Sequence, residues 1–199
     1  MFSISTLLLF IGAAVLLILI PGPDLIFAIT QGITHGRKAG IYTAAGLALG
    51  NTVHTLAAAL GLSILVQTSP LLFMVFKIAG ALYLFNLAWK SLKHRKAALM
   101  ITPGERVNEK ALLRRGLVMN VLNPKVAIFF LTFLPQFVNY EAGRVPLQMI
   151  VLGFIFIVLT ALIFGLFAFF AGVFSARLLQ KPSEAPLSHA CYPGTTFPW

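Results

Sequence analysis

The chain has 199 residues, of which 59% are hydrophobic and only 10% are charged, and its mean hydropathy is +0.93. About a quarter of the residues of a water-soluble domain are charged, so this composition excludes a soluble protein. The formal net charge of +10 does not indicate a nucleic-acid partner, because the basic residues lie in the short gaps between apolar runs and not on an amphipathic face.

Apolar runs follow one another along the chain at 4–34, 40–66, 70–90, 115–138 and 146–176. Each run is long enough to cross the bilayer core as a helix of ~20 residues, and none shows the alternation of a strand. The first run lacks a positively charged start, which indicates a spanning helix and not a cleaved signal. The sequence therefore predicts an all-α, polytopic membrane helix bundle with five spans.

The connections between these runs alternate in charge. Those after the first, third and fifth runs are basic, whereas those after the second and fourth are neutral or balanced. The positive-inside rule then predicts that the N-terminus lies outside and that the basic central loop lies in the cytoplasm. We expect a membrane domain over 1–181, with halves of about 1–91 and 109–181, followed by an atypical proline-rich tail over 182–199.

Proline interrupts two of the runs, at Pro21-Gly22-Pro23-Asp24 and at Asn123-Pro124-Lys125. Proline lacks a backbone donor and clashes with the preceding turn, so both helices are predicted to break there. When Pro23 is aligned with Pro124, Asp24 falls opposite Lys125, and the two segments run in opposite directions across the membrane. Interrupted spans at corresponding places of inverted halves indicate a transporter binding site. The alternative is two independent kinks that serve packing.

Asp24 and Lys125 are charges inside predicted spans, where each costs ~2.5–3.5 kcal/mol on insertion scales. Counted from the basic loops, both lie roughly 15–20 Å from the cytoplasmic face. A carboxylate, an ammonium and unwound backbone suit a zwitterionic ligand, with its cationic end on Asp24 and its carboxylate on Lys125. A structural ion pair between them is the alternative. A further hypothesis gives Asp24 the coupling proton.

Other polar or aromatic residues recur at helical spacing in the second and fourth runs. Asn51 and His54 are three residues apart and share a helix face near the middle of a span. His54 is interpreted either as a hydrogen-bonded packing residue or as a proton relay. The aromatic stripe is predicted to face the lipid or the core and consists of Phe129, Phe130, Phe133 and Phe137.

Taken together, these motifs resemble the LysE/RhtB family of bacterial amino-acid exporters. The resemblance covers about residues 5–180 and also rests on Gly36-Arg37-Lys38-Ala39-Gly40, on 46–50, on 77–84 and on 116–137 with Asn120. It implies a transporter without enzymatic activity, catalytic residues, metal ligands or cofactor, in the bacterial inner membrane. Threonine, homoserine, leucine or lysine would be exported by proton antiport. The family pattern is six spans in inverted three-helix repeats, and Asn120 joins the candidate site.

The chain departs from the family pattern in two respects. The family's equivalent of Asp24 is not always acidic, which weakens a proton-carrying role for it. The tail over 182–199 also stands where a sixth span is expected, so a degenerate, non-transporting membrane protein is an alternative. Export of another small solute or a metal cation is a further alternative, although Asp24 and His54 alone do not make a ligand cluster. A thiol-transferring carrier is excluded, because the only cysteine is Cys191. The glycine-spaced faces favour a homodimer.

Overall fold

The structure is a computed structural model that describes residues 2–62, 70–93 and 108–179. Within these ranges the regular elements are all helical: α1 Ile4–Leu19, α2 Pro23–Ala57, α3 Pro70–Lys93, α4 Glu109–Val121, α5 Pro124–Ile128 and α6 Val145–Leu179. A π-helical turn, Ala58–Leu62, extends α2, and α5 runs on through a π turn and a 3-10 turn to Phe137. The prediction of an all-α membrane helix bundle is confirmed. Most of the basic central loop and the tail over 182–199 lie outside the described residues.

α2 reverses direction at Gly36. The backbone there has φ 85° and ψ 170°, a conformation that is essentially restricted to glycine. A Cβ atom built on Gly40 would lie 3.0 Å from the Cα of Gly32, although eight residues of straight helix span about 12 Å. α2 is therefore a hairpin of two arms, residues 23–35 and 37–57. The connection that the sequence predicts between the first two apolar runs is reduced to a single residue.

Glycine brings the hairpin close to its neighbours. Gly46 on the second arm lies against the backbone carbonyl of Leu113 in α4, and Gly32 on the first arm lies against that of Ala168 in α6. Small residues permit such close approach of helices. Because these glycines are buried inside one chain, they no longer support a homodimer, which stays a prediction.

The core and the outer surface are both strongly apolar. The rings of Phe129 and Phe156 lie 5.0 Å apart and those of Phe130 and Phe156 lie 5.2 Å apart, so the first two residues of the aromatic stripe face the core. Large apolar side chains on the outside include Leu60 and Phe85, which are 68% and 69% exposed. Such a surface is suited to lipid.

In the described part of the chain, Val145–Arg177 is by itself long and apolar enough to cross a bilayer. Two bent pairs also qualify when each is counted as one span, namely Ile4–Leu19 with Pro23–Gly61 and Glu109–Val121 with Pro124–Phe137. Length and composition thus give up to three spans in these ranges, a number that counts α2 as one helix although it reverses at Gly36. The number of five stays a prediction.

Candidate functional site at two helix breaks

Both predicted breaks are present and have the same backbone plan. α1 ends at Leu19 and α2 begins at Pro23, while α4 ends at Val121 and α5 begins at Pro124. In each case proline is the first residue of the second helix, where its missing N–H is not needed. The helix axes bend by 61° at the first break and by 50° at the second. The alignment of Pro23 with Pro124 therefore matches the local structure.

The first break leaves carbonyl groups that the ammonium of Lys125 fills. Pro21 is the residue whose N–H would bond the Leu17 carbonyl in a continuous helix, and proline has none. Lys125 Nζ donates to Leu17 O at 3.1 Å and to Ile20 O at 3.0 Å. The space for the ammonium depends on Gly22, because a Cβ there would lie 3.3 Å from Nζ.

At the second break His54 adds a donor to a backbone carbonyl. Pro124 stands four residues after Asn120, so the Asn120 carbonyl lacks its α-helical donor and accepts instead from the backbone N–H of Asn123 at 2.9 Å. His54 Nε2 donates to Asn120 O at 3.1 Å, and because a carbonyl only accepts, Nε2 carries the proton. The side chain of Asn123 caps α5, since its Oδ1 accepts from the backbone N–H of Lys125 at 3.0 Å.

The two charged residues sit differently with respect to the helix dipoles. Asp24, 2% exposed, lies in the first turn of α2, where free N–H groups stabilise a carboxylate. Lys125, 3% exposed, lies in the first turn of α5, where a cation is disfavoured. The carbonyl end of α1 offsets that cost, because it is the negative end of another helix.

Asp24 and Lys125 do not form the ion pair that was one alternative. Asp24 Oδ2 accepts from Asn120 Nδ2 at 3.0 Å, and Asp24 Oδ1 has no hydrogen-bond partner in the described part of the chain. The Lys125 ammonium is turned to the carbonyls of α1. Each charge is therefore held by neutral groups from the opposite break.

Both charges line one small cavity between the breaks. Its wall consists of Leu17, Ile18, Asp24, Asn51, Asn120, Lys125, Val126, Phe156, Thr160 and Phe164. The volume open to the centre of a water molecule is about 10 Å³, which is close to the space that one water requires. The site is closed in this conformation, and its lining combines charged and amide groups with apolar side chains.

Residues 15–189 match the family described as LysE type translocator. The chain belongs to this family. It is 29% identical over 187 residues to a leucine efflux protein of Enterobacter sp. (strain 638), covering 92% of this chain and 87% of the relative. No solved structure matches the chain.

Two further relatives of this LysE-type translocator are similar over most of their length. A leucine efflux protein of Klebsiella pneumoniae is 35% identical over 145 residues, which is 71% of this chain and 67% of the relative. An uncharacterized membrane protein of Bacillus subtilis is 33% identical over 169 residues, which is 80% of each chain.

The candidate residues fall into three structural groups. Four of them line the cavity, namely Asp24, Asn51, Asn120 and Lys125. Five shape the breaks, namely Pro21, Gly22, Pro23, Asn123 and Pro124. His54 reaches the site through the Asn120 carbonyl, and its ring centroid lies 5.8 Å from that of Phe130.

Sequence reasoning missed two contributors to the site. The carbonyl of Leu17 binds Lys125, and the proline four residues later is the signal that would have identified it. Thr160 Oγ1 accepts from Asn51 Nδ2 at 3.2 Å. Thr160 is one of three polar residues in the last apolar run, with Gln148 and Ser175, so the sequence gives only a weak signal for it.

Proposed function

We propose that this protein is a secondary transporter that exports amino acids of the threonine, homoserine, leucine and lysine class across the bacterial cytoplasmic membrane. The single observation that carries the proposal is the cavity between the two breaks, which has a buried carboxylate from one and a buried ammonium from the other. Membership of the translocator family supports it. So do the two relatives described as leucine efflux proteins.

Asp24 and Lys125 each bind one end of a zwitterionic amino acid. The free oxygen of Asp24 receives the ammonium end of the amino acid. Lys125 receives its carboxylate, because an ammonium has three N–H donors and the carbonyls of Leu17 and Ile20 take two. Ile18, Val126 and Phe164 supply an apolar wall for the side chain, which favours leucine within this class.

Transport requires the site to open, because the cavity has room for about one water. The closed form then corresponds to one stage of alternating access, in which one half rocks against the other about the fixed site. Proton antiport supplies the driving force in this proposal, with Asp24 or His54 as the residue that takes the proton. The N-terminus lies outside, and the chain carries out no enzymatic reaction.

Counterflow tests this function in the full chain, purified and reconstituted into liposomes. Vesicles loaded with unlabelled leucine are expected to accumulate labelled leucine, and threonine, homoserine and lysine are tested in parallel. Asp24→Asn and Lys125→Met are expected to abolish counterflow, whereas Lys38→Met and Glu141→Gln, at exposed positions, keep the wild-type rate.

The double variant separates substrate contact from structural pairing. Because the two charges do not contact each other, Asp24→Asn with Lys125→Met is not expected to recover activity, and recovery would show a structural ion pair instead. If folded wild-type protein gives no counterflow of any of the four amino acids, the chain is the non-transporting alternative and the proposal is wrong.

A further inference from the structure

Three oxygen atoms of cavity-lining residues have no hydrogen-bond donor in the described ranges. They are Asp24 Oδ1, Asn51 Oδ1 and Asn120 Oδ1. Their side chains are 2%, 0% and 1% exposed, so bulk water does not reach them. A buried acceptor without a donor costs about 1–3 kcal/mol, and three on residues that line one cavity require an explanation.

The orientations of both amides follow from their partners. The Thr160 hydroxyl donates to Phe156 O at 2.8 Å, so its oxygen must accept from Asn51, and the NH₂ group of Asn51 is turned toward it. The NH₂ group of Asn120 is turned toward the side chain of Asp24. In its ionised form this carboxylate accepts hydrogen bonds and donates none. Exchanging oxygen and nitrogen in either amide would break these bonds. The side-chain oxygens of Asn51 and Asn120 are therefore the atoms that have no donor in the described ranges.

These three oxygens would be satisfied by a ligand group that donates hydrogen bonds and accepts none. A water molecule has two hydrogens and leaves one of three acceptors unpaired, whereas a primary ammonium has three N–H donors. It also carries the positive charge that the carboxylate of Asp24 attracts, and its nitrogen fits a space of about one water. The Lys125 ammonium does not serve these oxygens, because it is turned to Leu17 and Ile20.

We infer that Asp24, Asn51 and Asn120 together bind the α-ammonium group of the transported amino acid, with one N–H on each oxygen. This inference rests on the proposed export function and deepens it. It limits the substrates to primary amines, whatever their side chain. It also gives Asn51 and Asn120 a specificity role that neither charge supplies, because a single carboxylate would accept a methylated ammonium almost as well.

An N-methylation series tests the inference without altering the protein. Leucine, N-methyl-leucine and N,N-dimethyl-leucine keep the positive charge but carry progressively fewer N–H donors. Each compound is added as a competitor of labelled leucine counterflow. Its inhibition is expected to weaken by about tenfold or more for each N–H lost, which is the range for a hydrogen bond to a charged group. Equal inhibition by all three, with leucine counterflow intact, would overturn the inference and leave the export function standing.

A matched pair of variants tests the residues. Asn51→Ala removes one acceptor and makes room for a methyl group, so the preference for leucine over N-methyl-leucine is expected to fall by about tenfold. Gln31→Ala is the control, because Gln31 Oε1 is also buried with no partner among the described residues but does not line this cavity. An unchanged preference in Asn51→Ala, or the same fall in Gln31→Ala, would contradict the assignment.

Sodium distinguishes the substrate's ammonium from a free metal cation. Labelled sodium is added to purified protein in detergent, and its retention is measured with and without leucine. No retention is expected, because the oxygens belong to the substrate. Retention of sodium that leucine displaces would assign the oxygens to a metal cation and overturn the inference. Absence of counterflow for every amino acid would overturn the inference and the proposed function together.

Discussion

The break before α2 and the break before α5 both start a helix with proline, yet they offer a ligand opposite charges. The first has a glycine at its N-cap, no side-chain cap and a carboxylate in the first turn. The second has an asparagine cap and an ammonium in the first turn. The two breaks therefore share the start of a helix at proline but carry side chains of opposite charge.

The comparison also shows that each break is completed by the other. Lys125, which follows the second break, binds the carbonyls of Leu17 and Ile20, which precede the first. Asn120, which precedes the second break, donates to Asp24, which follows the first. The second break caps its own helix through Asn123, but the charged side chain of each break is bound by groups of the other break, so the two halves depend on each other at this point. Single substitutions at these residues test the crossed contacts one at a time.

Lys125→Met is expected to have the largest effect on stability. It removes the donor of the buried Leu17 carbonyl and of the partly buried Ile20 carbonyl, and a buried acceptor left without a donor costs about 1–3 kcal/mol. The measurement is the free energy of unfolding in detergent. Lys38→Met, which removes an exposed cation, is the control and should change it little. Equal stability of the two variants would show that the carbonyls of α1 do not depend on Lys125.

Loss of the hydrogen bond between Asn120 and Asp24 is expected to have the next largest effect on stability. A double-mutant cycle with Asn120→Ala and Asp24→Asn isolates the interaction energy from the other effects of each substitution. A hydrogen bond to a charged group predicts about 1.5–3 kcal/mol. Strictly additive free energies of unfolding would contradict the crossed arrangement on this side.

His54→Phe is expected to have a smaller effect, about 0.6 kcal/mol, which is the average for hydrogen bonds between membrane helices. Its size should depend on Pro124. In a Pro124→Ala background the new backbone N–H at position 124 can bond the Asn120 carbonyl, so the further cost of His54→Phe should shrink. The same cost in both backgrounds would mean that the proline does not create the site for His54.

Gly22→Ala is expected to change stability least, while slowing transport. The extended backbone at Gly22 accepts alanine, but the added Cβ would lie 3.3 Å from Lys125 Nζ and would shift the ammonium by a few tenths of an ångström. Gly12→Ala on α1 is the matched control, because nothing lies within 4 Å of a Cβ there. A wild-type counterflow rate in Gly22→Ala would show that the position of the ammonium is not critical.

The sequence predicts the breaks because proline acts locally, through its own missing donor. It also predicts that Asp24 and Lys125 occupy corresponding places, since the alignment needs only the chain order. It does not predict that they avoid each other, because the partner of Lys125 is a backbone carbonyl more than a hundred residues away. A proline four residues later marks a carbonyl that lacks its helical donor, but only the three-dimensional structure shows which side chain binds it.

Gly36 has a consequence for movement. A one-residue connection offers the two arms of α2 almost no slack, because a single residue extends at most about 3.6 Å whereas one helical turn measures 5.4 Å. Neither arm can slide by a turn along the other while this link holds. Asp24 on the first arm and Asn51 on the second therefore keep their register along the hairpin through any movement of the transporter.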